Sequence, residues 1–325
     1  MKVALAGVLL TAMAAFGADP QLLGLMMPDA RVLAGLQVAD SQSTPFGKFL
    51  LKQIPADAGL DNFVAATGFD PRQDLNEIVA ASAGENQWLI AGRGTFSSTR
   101  IAGLAEMAGA TVTRYQGADL IVGNPGGNRN RRSDPAPKST APVNGVAFVD
   151  SSTVLIGEVQ LLKAAIDRRA AGAAFRGPLA VKAQSVSGRN QAWAATLTPA
   201  ADLVPALGGA QAAPNMVANL LQSITGLTVG LQLTGTNVTL STEASTRSDK
   251  DAQALVDVLH FVMAMAQANR KDPQTGGAAT LADAATISAN GASVQLTITV
   301  PEQQLESLFP PQPGVKKISN PARVK

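Results

Sequence analysis

The chain has 325 residues, 46% of them hydrophobic but only 4% aromatic, so it can build two domains or one large one around small aliphatic side chains. It contains no cysteine and one histidine, which excludes disulfides, thiolate catalysis, iron–sulfur clusters and metal sites with paired histidines. The formal charge is only +2 and the aromatic residues lie far from the basic runs, so we expect no nucleic-acid partner.

The N-terminus has the layout of a secretion signal. Lys2 precedes an uncharged apolar run over residues 3–16, and small residues follow that run. The run is shorter than the roughly 20 apolar residues that a membrane-spanning helix needs. Small side chains at Ala15 and Gly17 predict cleavage between Gly17 and Ala18, so residues 1–17 form the signal peptide. We therefore expect a periplasmic or extracellular mature protein without stable membrane insertion.

The spacing of apolar residues divides the first half of the chain into strands and helices. In chain order we predict a strand (31–39), two helices (45–54 and 60–67) and a hairpin (74–82 and 87–93). A helix capped by Ser97 or Ser98 and ended by Gly109 follows, then two further hairpins (110–115 with 118–122, and 145–149 with 153–157) and a helix (159–169). The polar segment 123–142 is predicted to be a flexible loop, because its composition buries little apolar surface.

The second half repeats this pattern with different residues. We predict a strand (191–197), a helical segment (200–222) broken at Pro205 and Pro214, a hairpin (227–233 and 238–243), a helix (249–267), a hairpin (284–289 and 293–300) and a last helix from Pro301. The helix over 249–267 carries the clearest apolar stripe, formed by Leu255, Val258, Leu259, Val262, Met265 and Ala266.

Hairpins outnumber parallel crossovers in this pattern, which predicts an α+β fold of antiparallel sheets with helices packed on one face. The similar order of elements in the two halves suggests an internal duplication. We divide the chain into the signal peptide (1–17), a first α+β unit (18–188) with the flexible loop 123–142, a second α+β unit (189–310) and a flexible basic tail (311–325).

Several short motifs add a family resemblance. They are Asp19-Pro20-Gln21-Leu22-Leu23, Met27-Pro28-Asp29-Ala30, Thr44-Pro45-Phe46-Gly47, Thr67-Gly68-Phe69-Asp70-Pro71 and Ala164-Ala165-Ile166-Asp167-Arg168. With them the chain resembles a family of exported, uncharacterised proteins found in acidobacterial genomes. The resemblance covers most of the mature chain. It implies export and an α+β fold, and it brings no catalytic residues.

Two motifs could carry chemistry, and each has a simpler interpretation. His260 lies opposite the apolar stripe of its helix, so we expect it in water rather than in a catalytic triad. Gly92-Arg93-Gly94 lies between a strand and a helix, as a nucleotide-binding turn does. Ser97 replaces the third glycine of that turn, which favours an ordinary strand end before a capped helix.

Carboxylates are the other candidates, because two of them can act as a general acid and base. Asp57, Asp61, Asp70, Asp74 and Glu77 lie near predicted turns and helix ends, where such residues mostly cap or solvate. No spacing of Asp and Asn matches a calcium loop. We therefore predict no catalytic, cofactor-binding or metal-binding residue.

Basic side chains occur in two polar segments. The loop contains Arg129, Arg131, Arg132 and Lys138, and the tail contains Lys316, Lys317, Arg323 and Lys325. Outside the inner membrane the loop residues could contact an anionic surface such as lipid or cell-wall polymer, although solubility alone is the simpler role.

The sequence thus predicts an exported, non-enzymatic binding or scaffold protein whose partner is an envelope protein or a small apolar ligand. Two alternatives remain: a periplasmic hydrolase that uses carboxylates or a serine, and an anion-binding protein of the cell surface. A deep cavity lined by two or more carboxylates would favour the hydrolase, whereas a flat sheet face or an apolar groove would favour binding.

Overall fold

The computed structural model describes residues 17–53, 69–84, 87–107, 109–123, 143–199, 222–270 and 276–308. Four predicted features lie wholly or almost wholly outside these residues: the signal peptide, the helix 60–67, the loop 123–142 and the tail 311–325. The predicted helical segment 200–222 also falls outside them, except for its last residue.

Twelve strands form one continuous antiparallel sheet. They are β1 (Val32–Gln37), β2 (Leu75–Gly84), β3 (Gln87–Gly94), β4 (Thr111–Tyr115), β5 (Ala118–Val122), β6 (Asn144–Phe148), β7 (Thr153–Glu158), β8 (Ala192–Thr196), β9 (Ile224–Leu233), β10 (Asn237–Thr246), β11 (Ala285–Asn290) and β12 (Ser293–Pro301). Their order across the sheet is β11-β12-β10-β9-β8-β1-β2-β3-β7-β6-β5-β4.

Ten helices surround this sheet within the described residues. They are α1 (Pro20–Gly24), α2 (Val38–Gln42), α3 (Pro45–Gln53), α4 (Pro71–Asp74), α5 (Ser98–Met107), α6 (Val159–Ala170), α7 (Pro178–Ser187), α8 (Asp249–Ala268), α9 (Gly276–Asp283) and α10 (Glu302–Leu308). None of them is both long enough and apolar enough to cross a membrane.

The α+β class and the antiparallel pairing are confirmed. Every predicted strand is present, with each end within three residues of its predicted position. Five described helices were not predicted: α1, α2, α4, α7 and α9. The predicted boundary between the two units lies at residue 188, and strands from both sides of it belong to the same sheet. The division into two units stays a prediction.

The two halves of the sheet meet at its centre, where β1 pairs antiparallel with β8 and Val32 lies opposite Thr196. Outward from β1 the order is β2, β3, β7 and β6, and outward from β8 it is β9, β10, β12 and β11. In each half one hairpin, β2–β3 or β9–β10, lies beside the central strand. A second hairpin, β6–β7 or β11–β12, then joins the sheet through its second strand, β7 or β12. This matching order supports the duplication hypothesis, with β4 and β5 as an addition to the first half.

The sheet has two faces because side chains alternate along a strand. We call front the face that carries Leu33, Val79, Leu89, Leu155 and Trp193, and back the opposite one. On the front, α1, α6 and α7 pack over the strands of the first half and over β8. Their buried side chains form one core with the five residues just named. On the back, α2 and α5 pack over the first half. Helices thus cover both faces of the first half.

In the second half the helices lie on the back. Ala252, Leu255 and Val256 of α8 pack on Ala244 and Val294. At the other end of these strands, α3 and α10 contribute Phe46, Phe49 and Leu305 to a small cluster with Leu233 and Val238. The prediction of helices on one face therefore fits the described helices over β10, β11 and β12, whereas the first half has helices on both faces.

The apolar stripe predicted for α8 is partly wrong. Leu255 and Leu259 do face the core, but Val262 and Met265 are 53% and 51% exposed, and Ala252 and Val256 are buried instead. Toward its C-terminus α8 meets α9, where Nε2 of Gln267 donates to Oδ1 of Asp283 at 3.0 Å. This part of the helix therefore buries less of its apolar stripe against the sheet.

Candidate binding groove

The front face of the second half is polar. Its residues are Gly226, Thr228, Gly230 and Gln232 on β9, Thr239, Ser241, Glu243 and Ser245 on β10, Ser293, Gln295, Thr297 and Thr299 on β12, and Thr286, Ser288 and Asn290 on β11. Strand pairing sets these residues in rows, so that Ser241 lies between Gly230 and Thr297. The result is a surface of hydroxyl and amide groups.

Helix α7 turns part of this surface into a groove. Its buried residues Leu179, Ala180 and Ala183 face the sheet, while Lys182 and Ser185 face the opening. The groove has a volume of about 440 Å³, and its floor is formed by residues of β9, β10 and β12.

The junction between α7 and the floor is tight. Asn190, just after α7, donates from Nδ2 to the backbone oxygen of Val186 at 2.7 Å. Its side-chain amide covers Gly230, where a Cβ atom would lie only 2.3 Å from that amide. Glycine at position 230 therefore lets the end of α7 approach β9.

The charged groups of the groove are two cations and one carboxylate. The Nζ atom of Lys182 lies 3.3 Å from Oε1 of Glu243 and 3.2 Å from Oγ of Ser245. Arg189 is exposed at the end of α7 and also lines the groove. Because Glu243 already pairs with Lys182, the groove presents a net positive charge beside neutral hydroxyl and amide groups.

The groove has few titratable groups. Among the described residues that line it, Glu243 is the one carboxylate and no histidine is present. His260 belongs to α8 on the back of the sheet and is exposed there, as predicted. A hydroxyl in the groove therefore has no imidazole within reach, and the carboxylate has no partner for acid–base work.

The carboxylates considered from the sequence lie elsewhere. The backbone N–H of Asp70 donates to Oδ2 of Asp74 at 2.6 Å, and Nε2 of Gln73 donates to Oδ2 of Asp70 at 3.1 Å. Asp70 and Asp74 thus hold the short helix α4. Asp57 and Asp61 lie outside the described residues, and so do Arg129, Arg131, Arg132 and Lys138 of the polar loop.

Glu77 and Arg93 belong to a cluster on the front of the first half. Nε of Arg93 lies 2.7 Å from Oδ2 of Asp19, and a second guanidinium nitrogen donates to Gln21 at 3.1 Å. Burial of Glu77 and the nearby charge of Asp19 raise the pKa of the Glu77 carboxyl. Arg93 therefore ties α1 to the sheet through an ion pair.

Gly94 ends β3 close to β2, where a Cβ atom would lie 2.2 Å from the backbone oxygen of Asp74. The motif Gly92-Arg93-Gly94 is thus a strand end, the simpler of its two interpretations. A second cavity, of about 380 Å³, lies beside it between α1 and the end of α6. The two arginines that line this cavity, Arg93 and Arg169, both pair with carboxylates.

Within the described ranges no three side chains of His, Cys, Asp or Glu are grouped so that they could hold a metal ion. The prediction that the protein uses no cofactor or metal stays a prediction.

The sequence analysis missed the groove because it missed α7. The sequence does contain signals for this helix. Pro178 suits a first helical position, and the spacing of Leu179, Ala180, Ala183 and Ser187 is helical. A second signal is the alternation at the start of β10, where Val238 and Leu240 alternate with Thr239 and Ser241.

Comparisons with known proteins show the fold and no family. No protein-family model matches the chain, and no curated protein matches it. The chain is similar to solved structures of TP0453. Crystal form III has a TM-score of 0.53 at 12% identity and matches 90% of this chain and 98% of that one. Crystal form I has a TM-score of 0.50 at 11% identity, with 90% and 97% covered. The resemblance to the acidobacterial family stays a prediction.

Proposed function

We propose that the protein is an exported, non-enzymatic binding protein that holds its ligand in the groove between α7 and the polar front face. The observation that carries this proposal is a groove of hydroxyl and amide groups with a single carboxylate that is already ion-paired. The periplasm or the outside of the cell is the proposed location, because the first 17 residues have the pattern of a cleaved signal.

The chemistry of the groove favours a hydroxyl-rich ligand with negative charge. The hydroxyl groups of Ser185, Ser241 and Thr297 can each donate and accept hydrogen bonds. Gln295 and Asn190 add side-chain amides. Arg189 adds a guanidinium, which recognises carboxylates and phosphates with two parallel hydrogen bonds. An acidic saccharide combines these features. A small apolar ligand, the other partner considered, finds less support here because few apolar side chains line the groove.

A hydrolase is the alternative, and the groove offers it less support. The serines of the groove lie on the front of the sheet, while His260 lies on the back. A hydrolase with two carboxylates would need a partner for Glu243, and the lining residues provide none.

Calorimetric titration of the mature chain tests the proposal. The probes are a trimer of galacturonic acid and the neutral galactose trimer of the same linkage. We expect the acidic trimer to bind at least tenfold more tightly, and Arg189→Gln to remove about tenfold of its affinity, because a charged hydrogen bond contributes about 1.5–3 kcal/mol.

The matched control is Ser288→Ala, an exposed position on the same face but outside the groove lining, which should leave the affinity unchanged. Equal binding of the two trimers, or equal losses in the two variants, would contradict an acidic ligand in this groove. Release of a shorter saccharide during the titration would favour the hydrolase.

A further inference from the structure

The residue that follows the predicted cleavage point is built into the core. Ala18 is only 4% exposed, and its backbone N–H donates to Oγ of Ser187 at 2.9 Å. The next N–H, that of Asp19, donates to Oε1 of Glu77 at 2.9 Å. The start of the mature chain therefore lies in a fixed position between α7 and β2.

This position has an unbalanced charge. Asp19 and Glu77 contribute two carboxylates, and Arg93 contributes one guanidinium, which pairs with Asp19. Glu77 is buried, and it accepts hydrogen bonds from the backbone N–H of Asp19 and from the side chain of Gln37, both of them neutral. Burial is the main cause of the raised pKa of this carboxyl, and the charge of Asp19 adds to it. The hydrogen bonds and the charge of Arg93 act in the opposite direction without cancelling it. One more positive charge would balance the cluster.

The nitrogen of Ala18 is close enough to supply that charge. Bond lengths limit two successive backbone nitrogens to a separation of about 3.7 Å. With the 2.9 Å hydrogen bond of Asp19, this places the Ala18 nitrogen no more than about 6.6 Å from Oε1 of Glu77. The limit is reached only if the two nitrogens and the oxygen lie on one straight line, and any bend shortens the distance. Opposite charges about 4–6 Å apart stabilise each other's charged forms.

We propose that cleavage after Gly17 creates an α-ammonium group on Ala18 that pairs with Glu77, so that maturation completes a buried ion pair. Hydrolysis of the Gly17–Ala18 bond consumes one water and leaves a carboxylate on the departing Gly17. The freed amine takes up a proton, because its ordinary pKa is near 8. The Oγ atom of Ser187 already accepts one N–H of this group. Gly17 is only half-buried, so water reaches the side from which it departs.

This inference rests on the proposed export and not on the ligand of the groove. It predicts that the first residue of the mature chain matters for stability. One extra residue keeps the backbone hydrogen bonds but moves the positive charge away from Glu77.

Four purified proteins test the ion pair. Two begin at Ala18 and two begin at Gly17, released from a cleavable fusion that leaves no other residue, and one of each pair carries Glu77→Gln. Urea unfolding at pH 7 should show that the extra glycine lowers the folding equilibrium constant about tenfold when Glu77 is present, the equivalent of one pKa unit. With Glu77→Gln the same extension should change it less than twofold.

The matched control is Glu106→Gln, at an exposed position on α5, where the effect of the extra glycine should stay about tenfold. An equal loss with Glu77 and with Glu77→Gln, or no loss at all, would overturn the proposal. If Glu77→Gln does not fold, ¹⁵N NMR of the chain that begins at Ala18 decides. The pKa of the α-ammonium should lie above 8, and a value at or below the ordinary one of 7.7–8.0 overturns the ion pair.

The results also separate this inference from the proposed function. N-terminal sequencing of protein exported by its native host tests the cleavage point itself. The stability measurements need no ligand, so failure of the saccharide titration leaves them unaffected.

Discussion

The two halves of the sheet share a connection order but differ in their layers. In the first half, α6 follows β7 and packs on the front, where Leu162 and Ala165 join the buried core. In the second half, α10 follows the equivalent strand β12 and packs on the back, where Leu305 lies beside Val238. Among the described helices none covers the front of the second half as α6 covers the first. One arrangement of strands thus supports a three-layer region and a region with an open polar face.

The sequence of the strands explains this difference. A strand that is covered on both faces reads as a nearly continuous apolar run, whereas a strand covered on one face alternates. In β7 the neighbouring residues Val154 and Leu155 are both buried, Val154 on the back and Leu155 on the front. In β10 polar Thr239, Ser241 and Glu243 point to the front, and Val238 and Leu240 point to the back. Mutations at equivalent positions of the two halves can test this comparison.

The largest effect is expected at Leu155, which is fully buried on the front of β7. Leu155→Ala should reduce the free energy of unfolding by about 2–5 kcal/mol, because it removes buried methyl groups and leaves a cavity. The equivalent change on β12, Thr297→Ala, should cost less than about 1 kcal/mol. Urea unfolding followed by circular dichroism measures both. Equal losses would mean that the front of the second half is as well packed as that of the first.

Gly230 should give the next largest effect, because it joins the covered part of the front to the open part. Gly230→Ala places a Cβ atom 2.3 Å from the Asn190 amide and should cost about 1–3 kcal/mol of overpacking. Asn190→Gly alone should also destabilise, but in the double variant it should recover part of the loss. Strictly additive losses would show that the two residues are not in contact.

The hairpin turns of the two halves should differ in their response to acid. Burial acts to raise the pKa of Asp150, but hydrogen bonds from Ser152 and the ion pair with Arg169 outweigh it and hold the pKa at about 2. The ionised carboxylate therefore stabilises the β6–β7 turn above pH 3.8, and this stabilisation is lost as the pH falls through about 2.

Asp150→Asn should therefore cost about 1 kcal/mol at pH 7, since solvent screens this partly exposed pair, and nothing once the pH is below about 2. The equivalent β11–β12 turn contains Asn290 and Gly291, and Asn290→Ala should give a loss that does not change with pH. A pH-independent cost for Asp150→Asn would argue against the ion pair with Arg169.

The smallest effect on stability is expected at Gln295, which is exposed on the open front face and lines the groove. Gln295→Ala should change the free energy of unfolding by less than about 0.5 kcal/mol. It should still weaken binding of the acidic trimer about fivefold, the loss of about one hydrogen bond. If Gln295→Ala lowered the stability and left the affinity for the acidic trimer unchanged, Gln295 would be a structural residue and not a ligand contact.

The strands and their hairpins were predicted well from the sequence because they depend on residues that are close together along the chain. Asn290-Gly291 in its turn and the alternation along β12 are local signals, and they placed both strands to within one residue. The joining of the halves was not predicted, because the pairing of β1 with β8 depends on residues 164 positions apart. The groove was missed because α7 was not predicted, and because its wall and its floor come from separate segments of the chain.

Helix α8 shows a further limit of sequence patterns. Apolar residues cover more than one side of this helix, so periodicity alone did not tell which side faces the sheet. Val262 and Met265 belong to the pattern but are more than half exposed. A hydrophobic stripe indicates what a helix can bury, whereas the neighbouring elements decide how much of it is buried.

The central pair of β1 and β8 also affects the order of folding. A chain that leaves a ribosome or a translocation pore from its N-terminus presents β1 long before Thr196 emerges. Until then one edge of β1 has no partner, and contacts of such long sequence separation form slowly. The middle of the sheet therefore stays open until β8 has emerged, and the unpaired edge of β1 is the place where a chaperone would protect the nascent chain from aggregation.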